Sequence, residues 1–144
     1  MERNLETKTD LNNTQVSIII PTYNESENII KILDSIGENL PSNMSTEAIV
    51  VDDNSPDGTG KVVEDYIADT RNEAGYSIDI IHRETKSGLS SAILDGIQHS
   101  SAETIVVMDS DLSHPPKIIP QLVEEIRTSD YDIAIASRYT DGGE

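Results

Sequence analysis

The stretch Val16-Ser17-Ile18-Ile19-Ile20 is a short run dominated by β-branched aliphatic residues. Apolar residues at consecutive positions, rather than alternate ones, are typical of a strand that is buried on both faces of a parallel sheet. Similar runs occur at residues 48–51, 78–81, 105–108 and 133–136. The sequence therefore predicts five buried strands.

A helix-length segment separates each strand from the next. Apolar residues recur at helical spacing within these segments, which predicts helices over residues 25–38, 61–71, 90–100 and 116–128. The last of them begins at Pro116, and proline is well suited to the first turn of a helix. Alternating strands and helices predict an α/β fold, a doubly wound, mostly parallel sheet with helices on both faces.

The length and composition of the chain fit one such domain. The chain has 144 residues, of which 35% are hydrophobic, and a domain of this size buries roughly 70% of its unfolded surface. Residues 1–15 are polar and charged, without the apolar segment of a signal peptide, so we predict a disordered lead-in there and one domain over residues 16–144.

The charge of the chain excludes several classes of function. Asp and Glu number 27 against 10 Lys and Arg, a net charge of −17, which disfavours binding to nucleic acid. The chain has no cysteine, so disulfide frameworks, thiol nucleophiles and thiolate zinc sites are absent. No apolar stretch approaches the roughly 20 residues that a membrane-spanning helix needs.

Polar and charged residues follow each predicted strand. In a parallel sheet the loops after the strands all leave from the carboxyl edge, where open α/β sheets bind their ligands. These five loops start near Pro21, Asp52, His82, Asp109 and Ser137. The functional residues are therefore expected along one edge of the sheet.

Asp109 and Asp111 are the most informative pair in these loops. Two carboxylates in a turn can bind one hard cation that keeps positions open for phosphate oxygens. In a chain so acidic, such a cation would reverse the local charge toward a diphosphate. The alternative is that both are ordinary turn residues, one of them capping the helix near Pro116.

Asp52 and Asp53 end the second predicted strand. A carboxylate there can accept a hydrogen bond from an N–H group of a nucleotide base. The turn into the next helix is predicted to contain Ser55, Asp57 and Gly58. On this interpretation Asp57 is a turn residue without a further role.

Five segments, in order, resemble the family 2 glycosyltransferases with the GT-A fold. They are VSIIIPTYNE at residues 16–25, DDNSPDGT at 52–59, GLSSA at 88–92, DSDLSHPP at 109–116 and SRY at 137–139. The SPDGT and LSHPP stretches favour the branch that transfers mannose to polyprenyl phosphates, the dolichyl-phosphate mannosyltransferases. The resemblance implies a Rossmann-like nucleotide-sugar-binding domain whose C-terminal part continues beyond this chain.

The resemblance also implies roles for single residues. The nucleotide pocket would be lined by Pro21, Tyr23 and Glu25, and the base would be contacted by Val51 and Asp53. The diphosphate would be held by Asp109, Ser110 and Asp111 through Mg²⁺ or Mn²⁺. Ser113 is a further candidate metal ligand, and Arg138 would face the diphosphate or the acceptor phosphate. Asp111 and Arg138 would be the catalytic residues.

The implied reaction is metal-dependent, inverting transfer of mannose from GDP-mannose to dolichyl or another polyprenyl phosphate. The implied location is cytoplasmic, at the cytoplasmic face of a membrane. The resemblance leaves open whether a segment or subunit outside this chain anchors it to the membrane. Two alternatives remain at this point. One is a receiver-type signalling domain phosphorylated on Asp109, and the other is a noncatalytic module that binds sugar nucleotides.

Overall fold

A computed structural model of the chain describes residues 15–70, 75–85 and 87–137. Within these ranges four parallel strands form one sheet in the order β3-β2-β1-β4, with helices on both faces. The predicted α/β fold class is therefore confirmed. The lead-in predicted over residues 1–15 lies outside the described residues, except for Gln15.

Strands and helices alternate as the sequence predicted. The strands are β1 (Val16–Thr22), β2 (Thr46–Asp52), β3 (Tyr76–His82) and β4 (Thr104–Val107). The helices are α1 (Ile29–Asn39), α2 (Thr59–Asp69), α3 (Leu89–His99) and α4 (Ile119–Thr128), and a 3₁₀ turn (Pro116–Ile118) leads into α4.

The first helix begins later than predicted. We expected it from residue 25, but the N–H groups of Asn28 and Ile29 both donate to the Glu25 carbonyl, and residues 26–28 form a turn. The spacing of apolar residues identifies the buried face of a helix but not its first turn, so it does not locate the residue at which the helix begins. As a result Glu25 stands on the loop between β1 and α1.

The predicted fifth strand is wrong. Residues 131–137 form neither strand nor helix, and the Ile133 and Ile135 side chains are 76% and 81% exposed. A β-branched run becomes a strand only where it packs against and pairs with a neighbour, because strand propensity depends mainly on that environment. Within the described residues, β4 pairs with β1 alone.

The core lies on both sides of β1. Ile18 and Ile20 pack into the larger apolar cluster, which includes residues of α1, α2 and α4. Ile19 faces the opposite side and packs with Val51 and with Ala92 of α3. All three isoleucines have no exposed surface, as expected for a central strand that is covered on both faces.

Helix α3 lies unusually close to the sheet at Gly96. A Cβ atom at this position would lie 2.5 Å from Ile19 Cγ2 and 3.2 Å from Val51 Cγ2. Glycine therefore permits the close contact between α3 and the two central strands.

We expect Gly96→Ala to destabilise the fold by about 1–2 kcal/mol, although alanine gains about 1 kcal/mol of helix propensity, because overpacking a core costs about 1–3 kcal/mol. Urea unfolding followed by circular dichroism measures the difference. Ser90→Ala, on an exposed position of the same helix, is the control and should stay within about 0.5 kcal/mol of wild type. Equal stability of the two variants would contradict the close packing.

Candidate functional site

The strand register brings four loops to one edge of the sheet. Thr22 at the end of β1 pairs with Asp52 at the end of β2, and Asp52 pairs with His82 at the end of β3. On the other side of β1, the Met108 N–H donates to the Ile19 carbonyl, so the loop after β4 begins beside β1. Four of the five loops predicted for the carboxyl edge therefore lie there, and the fifth was predicted to follow residues 133–136, which form no strand.

The loop after β1 (residues 23–28, the first loop) is bound to the loop after β2 (residues 53–58, the second loop) and to the start of α2. Three successive backbone N–H groups of the first loop donate to side chains there. The pairs are Asn24 N–H to Ser55 Oγ at 2.9 Å, Glu25 N–H to Thr59 Oγ1 at 3.0 Å and Ser26 N–H to Asp57 Oδ2 at 3.1 Å. These contacts were not predicted, since we interpreted this segment only as a turn.

Two carboxylates orient the hydroxyl groups in this arrangement. Asp57 Oδ1 accepts the Thr59 N–H at 3.0 Å and also the Thr59 hydroxyl, while Asp52 accepts the N–H and hydroxyl of Ser55. Desolvation by itself would raise the pKa of Asp57, but the hydrogen bonds from Thr59 and Ser26 outweigh it and lower this pKa below its ordinary value. Asp57 is therefore ionised at neutral pH.

Asp53 is buried and paired with an arginine. Its Oδ1 lies 2.7 Å from Arg83 Nε, and the side chains are only 9% and 7% exposed, respectively. The Asp53 N–H donates to the Thr22 carbonyl, which fixes its backbone at the end of β1. Apart from their ion pairs with Arg83 Nε and Asp95 Oδ2, Asp53 Oδ1 and Arg83 Nη1 have no hydrogen-bond partner among the described residues.

Arg83 is the functional candidate that the sequence interpretation missed. It follows β3 directly, its Nη2 donates to Ser91 Oγ at 2.9 Å, and its Nη1 lies 3.3 Å from Asp95 Oδ2. These contacts anchor it to α3. Its position directly after a predicted strand, at the same edge as Asp53, was a signal that could have identified it.

Asp109 and Asp111 occupy an exposed turn after β4. The Asp109 N–H donates to His114 Nδ1 at 3.1 Å, and Asp111 Oδ1 accepts the Ser113 N–H at 3.0 Å. Hydrogen bonding from the Ser113 side chain and backbone lowers the pKa of Asp111. Ser110, between the two aspartates, is buried. Both carboxylates are exposed to solvent.

The donor chemistry of this turn fits a hard cation in part. Among residues 15–70, 75–85 and 87–137 no group of three or more acidic or histidine side chains could hold a metal ion. Magnesium, however, is commonly bound by one or two carboxylates together with water and substrate phosphates. Asp109 and Asp111 supply such oxygen ligands, and the remaining ligands would have to come from a bound diphosphate.

The other predicted site residues differ in exposure. Tyr23 is 39% exposed, whereas Pro21 near the end of β1 and Glu25 on the first loop are half-buried. Val51 has no exposed surface and packs with Ile19, so only its main chain is placed to meet a ligand without repacking of the core. Arg138 lies outside the described residues.

The chain matches the family model described as glycosyl transferase family 2 over residues 17–144. It belongs to this family. The alternative of a receiver-type signalling domain is therefore wrong.

Several curated members of the family are similar to it. Dolichol-phosphate mannosyltransferase of Pyrococcus furiosus is 43% identical over 90% of the chain and 34% of the relative. Undecaprenyl-phosphate mannosyltransferase of Micrococcus luteus is 40% identical over 90% of the chain and 50% of the relative. Dolichol-phosphate mannosyltransferase of Saccharomyces cerevisiae is 36% identical over 89% and 46%, respectively. The chain thus spans between a third and a half of these glycosyltransferases.

Solved structures of glycosyltransferases share the fold. The mannosyltransferase PcManGT from Pyrobaculum calidifontis, in complex with GDP-Man and Mn²⁺, superposes with a TM-score of 0.68 at 28% identity, over 81% of this chain and 33% of that one. TarS of S. aureus in complex with UDP-GlcNAc superposes with a TM-score of 0.63 at 28% identity, over 79% of this chain and 31% of that one. These similarities confirm the predicted GT-A type of fold.

We expect Arg83→Gln to destabilise this glycosyltransferase domain by about 3 kcal/mol or more, because it leaves the Asp53 charge buried without its partner. Asp95→Asn is the matched comparison: Asp95 faces the same guanidinium but is 46% exposed, so its loss should cost under about 1 kcal/mol. Chemical denaturation of both variants checks the difference. Similar losses would show that the Asp53 pair is not desolvated.

Proposed function

We propose that the protein takes part in metal-dependent, inverting transfer of mannose from GDP-mannose to dolichyl or another polyprenyl phosphate. The observation that carries the proposal is the 36–43% identity to three mannosyltransferases whose names specify a dolichol or undecaprenyl phosphate. The fold similarity to a mannosyltransferase bound to GDP-Man and Mn²⁺ supports the choice of donor.

The diphosphate of the donor needs positive charge at this edge of the sheet. In many Rossmann-like folds the backbone N–H groups after the first strand bind the phosphates. Here the N–H groups of Asn24, Glu25 and Ser26 already donate to side chains, and one of these acceptors is the ionised Asp57. A cation held by Asp109 and Asp111 is therefore the favoured partner of the diphosphate, with Ser110 beside it and Ser113 as a further candidate ligand.

The base of the nucleotide is assigned to Asp53 and Arg83. A guanine presents N–H donors beside an acceptor oxygen on one edge, and a carboxylate next to a guanidinium offers the matching acceptor and donors. Asp53 Oδ1 and Arg83 Nη1 are buried atoms that have no hydrogen-bond partner among the described residues beyond their ion pairs, and the remaining lone pair and N–H support this assignment. The Val51 main chain, Pro21, Tyr23 and Glu25 would complete the pocket.

The acceptor chemistry needs no dedicated base. A phosphate monoester has a second pKa near 6, so it is mostly a dianion at neutral pH and is nucleophilic without proton removal. Its oxygen would form a bond to the anomeric carbon as the bond from that carbon to the GDP oxygen breaks, which inverts the configuration. A divalent cation, Mg²⁺ or Mn²⁺, would stabilise negative charge on the departing GDP. Asp111 would hold that cation, and we assign Arg138 to the departing or accepting phosphate.

A polyprenyl phosphate acceptor implies that the reaction takes place at a membrane surface, and we propose the cytoplasmic face. In the part of the chain that the structure describes, no helix is both long enough and apolar enough to cross a bilayer. A transfer assay with a polyprenyl phosphate and radiolabelled GDP-mannose tests the activity. Donor binding without transfer would favour the alternative of a noncatalytic sugar-nucleotide-binding module.

We expect GDP and GDP-mannose binding to require Mg²⁺ or Mn²⁺, and we expect Asp111→Asn to weaken binding in Mn²⁺ by about 2 kcal/mol, the usual cost of losing a charge-assisted contact. Isothermal titration calorimetry measures both effects. Asp69→Asn removes the same charge from an exposed position on α2 and should bind GDP like wild type. Equal affinity in EDTA and in Mn²⁺ would contradict the metal assignment.

We expect Asp53→Ala to reduce discrimination between GDP and UDP at least tenfold, because the carboxylate that reads a base N–H is gone. The quantity to measure is the ratio of the two dissociation constants in Mn²⁺. Partial unfolding of the variant affects both nucleotides equally and leaves this ratio unchanged. An unaltered ratio would place base recognition elsewhere.

A further inference from the structure

We propose that Ser55, Asp57 and Thr59 are positioning residues that hold the first loop in the geometry that nucleotide binding requires. We call these three side chains the loop clamp. The proposal rests on the proposed function, because the first loop carries Tyr23 and Glu25, which we assign to the nucleotide pocket. Neither the family assignment nor the similar proteins give these three residues a role.

The clamp is specific because each of its side chains accepts one of three successive N–H groups. Asp57 uses its two oxygens for different tasks: Oδ2 accepts from Ser26, and Oδ1 orients Thr59, whose own Oγ1 accepts from Glu25. Thr59 has no exposed surface, so its hydroxyl is fixed in place. If the first loop had no function, it would not need three side chains from outside the loop to accept its N–H groups.

The first loop needs such support because it cannot satisfy its own backbone. Its residues precede α1, and N–H groups before a helix have no carbonyl four residues earlier to bond. Asn24 adopts a left-handed conformation at φ 55°, which asparagine tolerates better than most residues other than glycine. The Glu25 carbonyl is used by the first N–H groups of the helix. Without the clamp, water would compete for all three N–H groups.

The clamp also sets the distance between two parts of the proposed pocket. Asp53, which we assign to the base, lies two residues before Ser55 on the second loop, and Glu25 is bound to Thr59, the first residue of α2. Displacement of the first loop would therefore separate Tyr23 and Glu25 from Asp53. The expected effect is on nucleotide affinity and not only on stability.

The first test compares Thr59→Val, which keeps the shape but loses the hydroxyl acceptor, with Thr59→Ser, which restores it. Hydrogen–deuterium exchange of the free protein should be at least about tenfold faster at the Glu25 amide in Thr59→Val and close to wild type in Thr59→Ser. GDP affinity in Mn²⁺, measured well below the unfolding temperature, should fall about tenfold in the first variant and recover in the second.

The second test compares two variants that each remove one negative charge. Asp57→Asn removes one of the two carboxylate acceptors, and Asp65→Asn removes an equal charge from an exposed position on α2, where Asp65 pairs only with Lys61 among the described residues. The single oxygen of asparagine can accept from Ser26 or from Thr59 but not from both, so we expect faster exchange at one of these two amides and weaker GDP binding in Asp57→Asn alone. Weaker binding in both variants by the same factor would reduce the effect to charge and overturn the proposal.

The remaining outcomes are also decisive. Faster exchange with unchanged GDP affinity would make the clamp merely structural and overturn the positioning role, and unchanged exchange in Thr59→Val would overturn the clamp itself. Wild-type protein that binds neither GDP nor UDP in Mn²⁺ would overturn the proposed function. The exchange measurement needs no nucleotide, so in that case it still decides whether the clamp holds the first loop.

Discussion

The burial of β1 on both faces is the constraint on which the rest of the structure depends. β1 pairs with β2 on one edge and β4 on the other, and its side chains alternate between two apolar clusters. Because β2 and β4 run parallel to β1 on its two edges, the loops after these three strands leave the sheet side by side. A one-residue slip of β1 would exchange the faces of its side chains and turn Ser17, which donates to Glu47, toward the larger apolar cluster.

The candidate site combines buried and exposed charge in different ways. The Asp53–Arg83 pair is desolvated, and the cost of removing both charges from water offsets much of their attraction. Asp109 and Asp111 are exposed instead and keep their affinity for water or a cation. The first group is suited to recognising the fixed shape of a base, and the second to a cation that arrives with its diphosphate.

The acidic character of the chain has a consequence for this chemistry. A net charge of −17 disfavours the approach of a nucleoside diphosphate, and three successive N–H groups of the first loop are already occupied. On the proposed function, a divalent cation would supply the local positive charge. Arg83 adds no net positive charge there, because Asp53 and Asp95 flank its guanidinium.

The sequence by itself determined the alternation of strands and helices, the parallel sheet and the family. Runs such as Ile18-Ile19-Ile20 and motifs such as Asp109-Ser110-Asp111 are local patterns, and local patterns report period and residue type. Only the tertiary structure decided that residues 133–136 do not pair as a strand, that Val51 is buried in the core, that Arg83 neutralises Asp53 and that Asp57 binds the first loop. Each of these depends on contacts between residues some 30 or more positions apart in the chain, or on the lack of a neighbouring strand, and neither has a signature in local sequence.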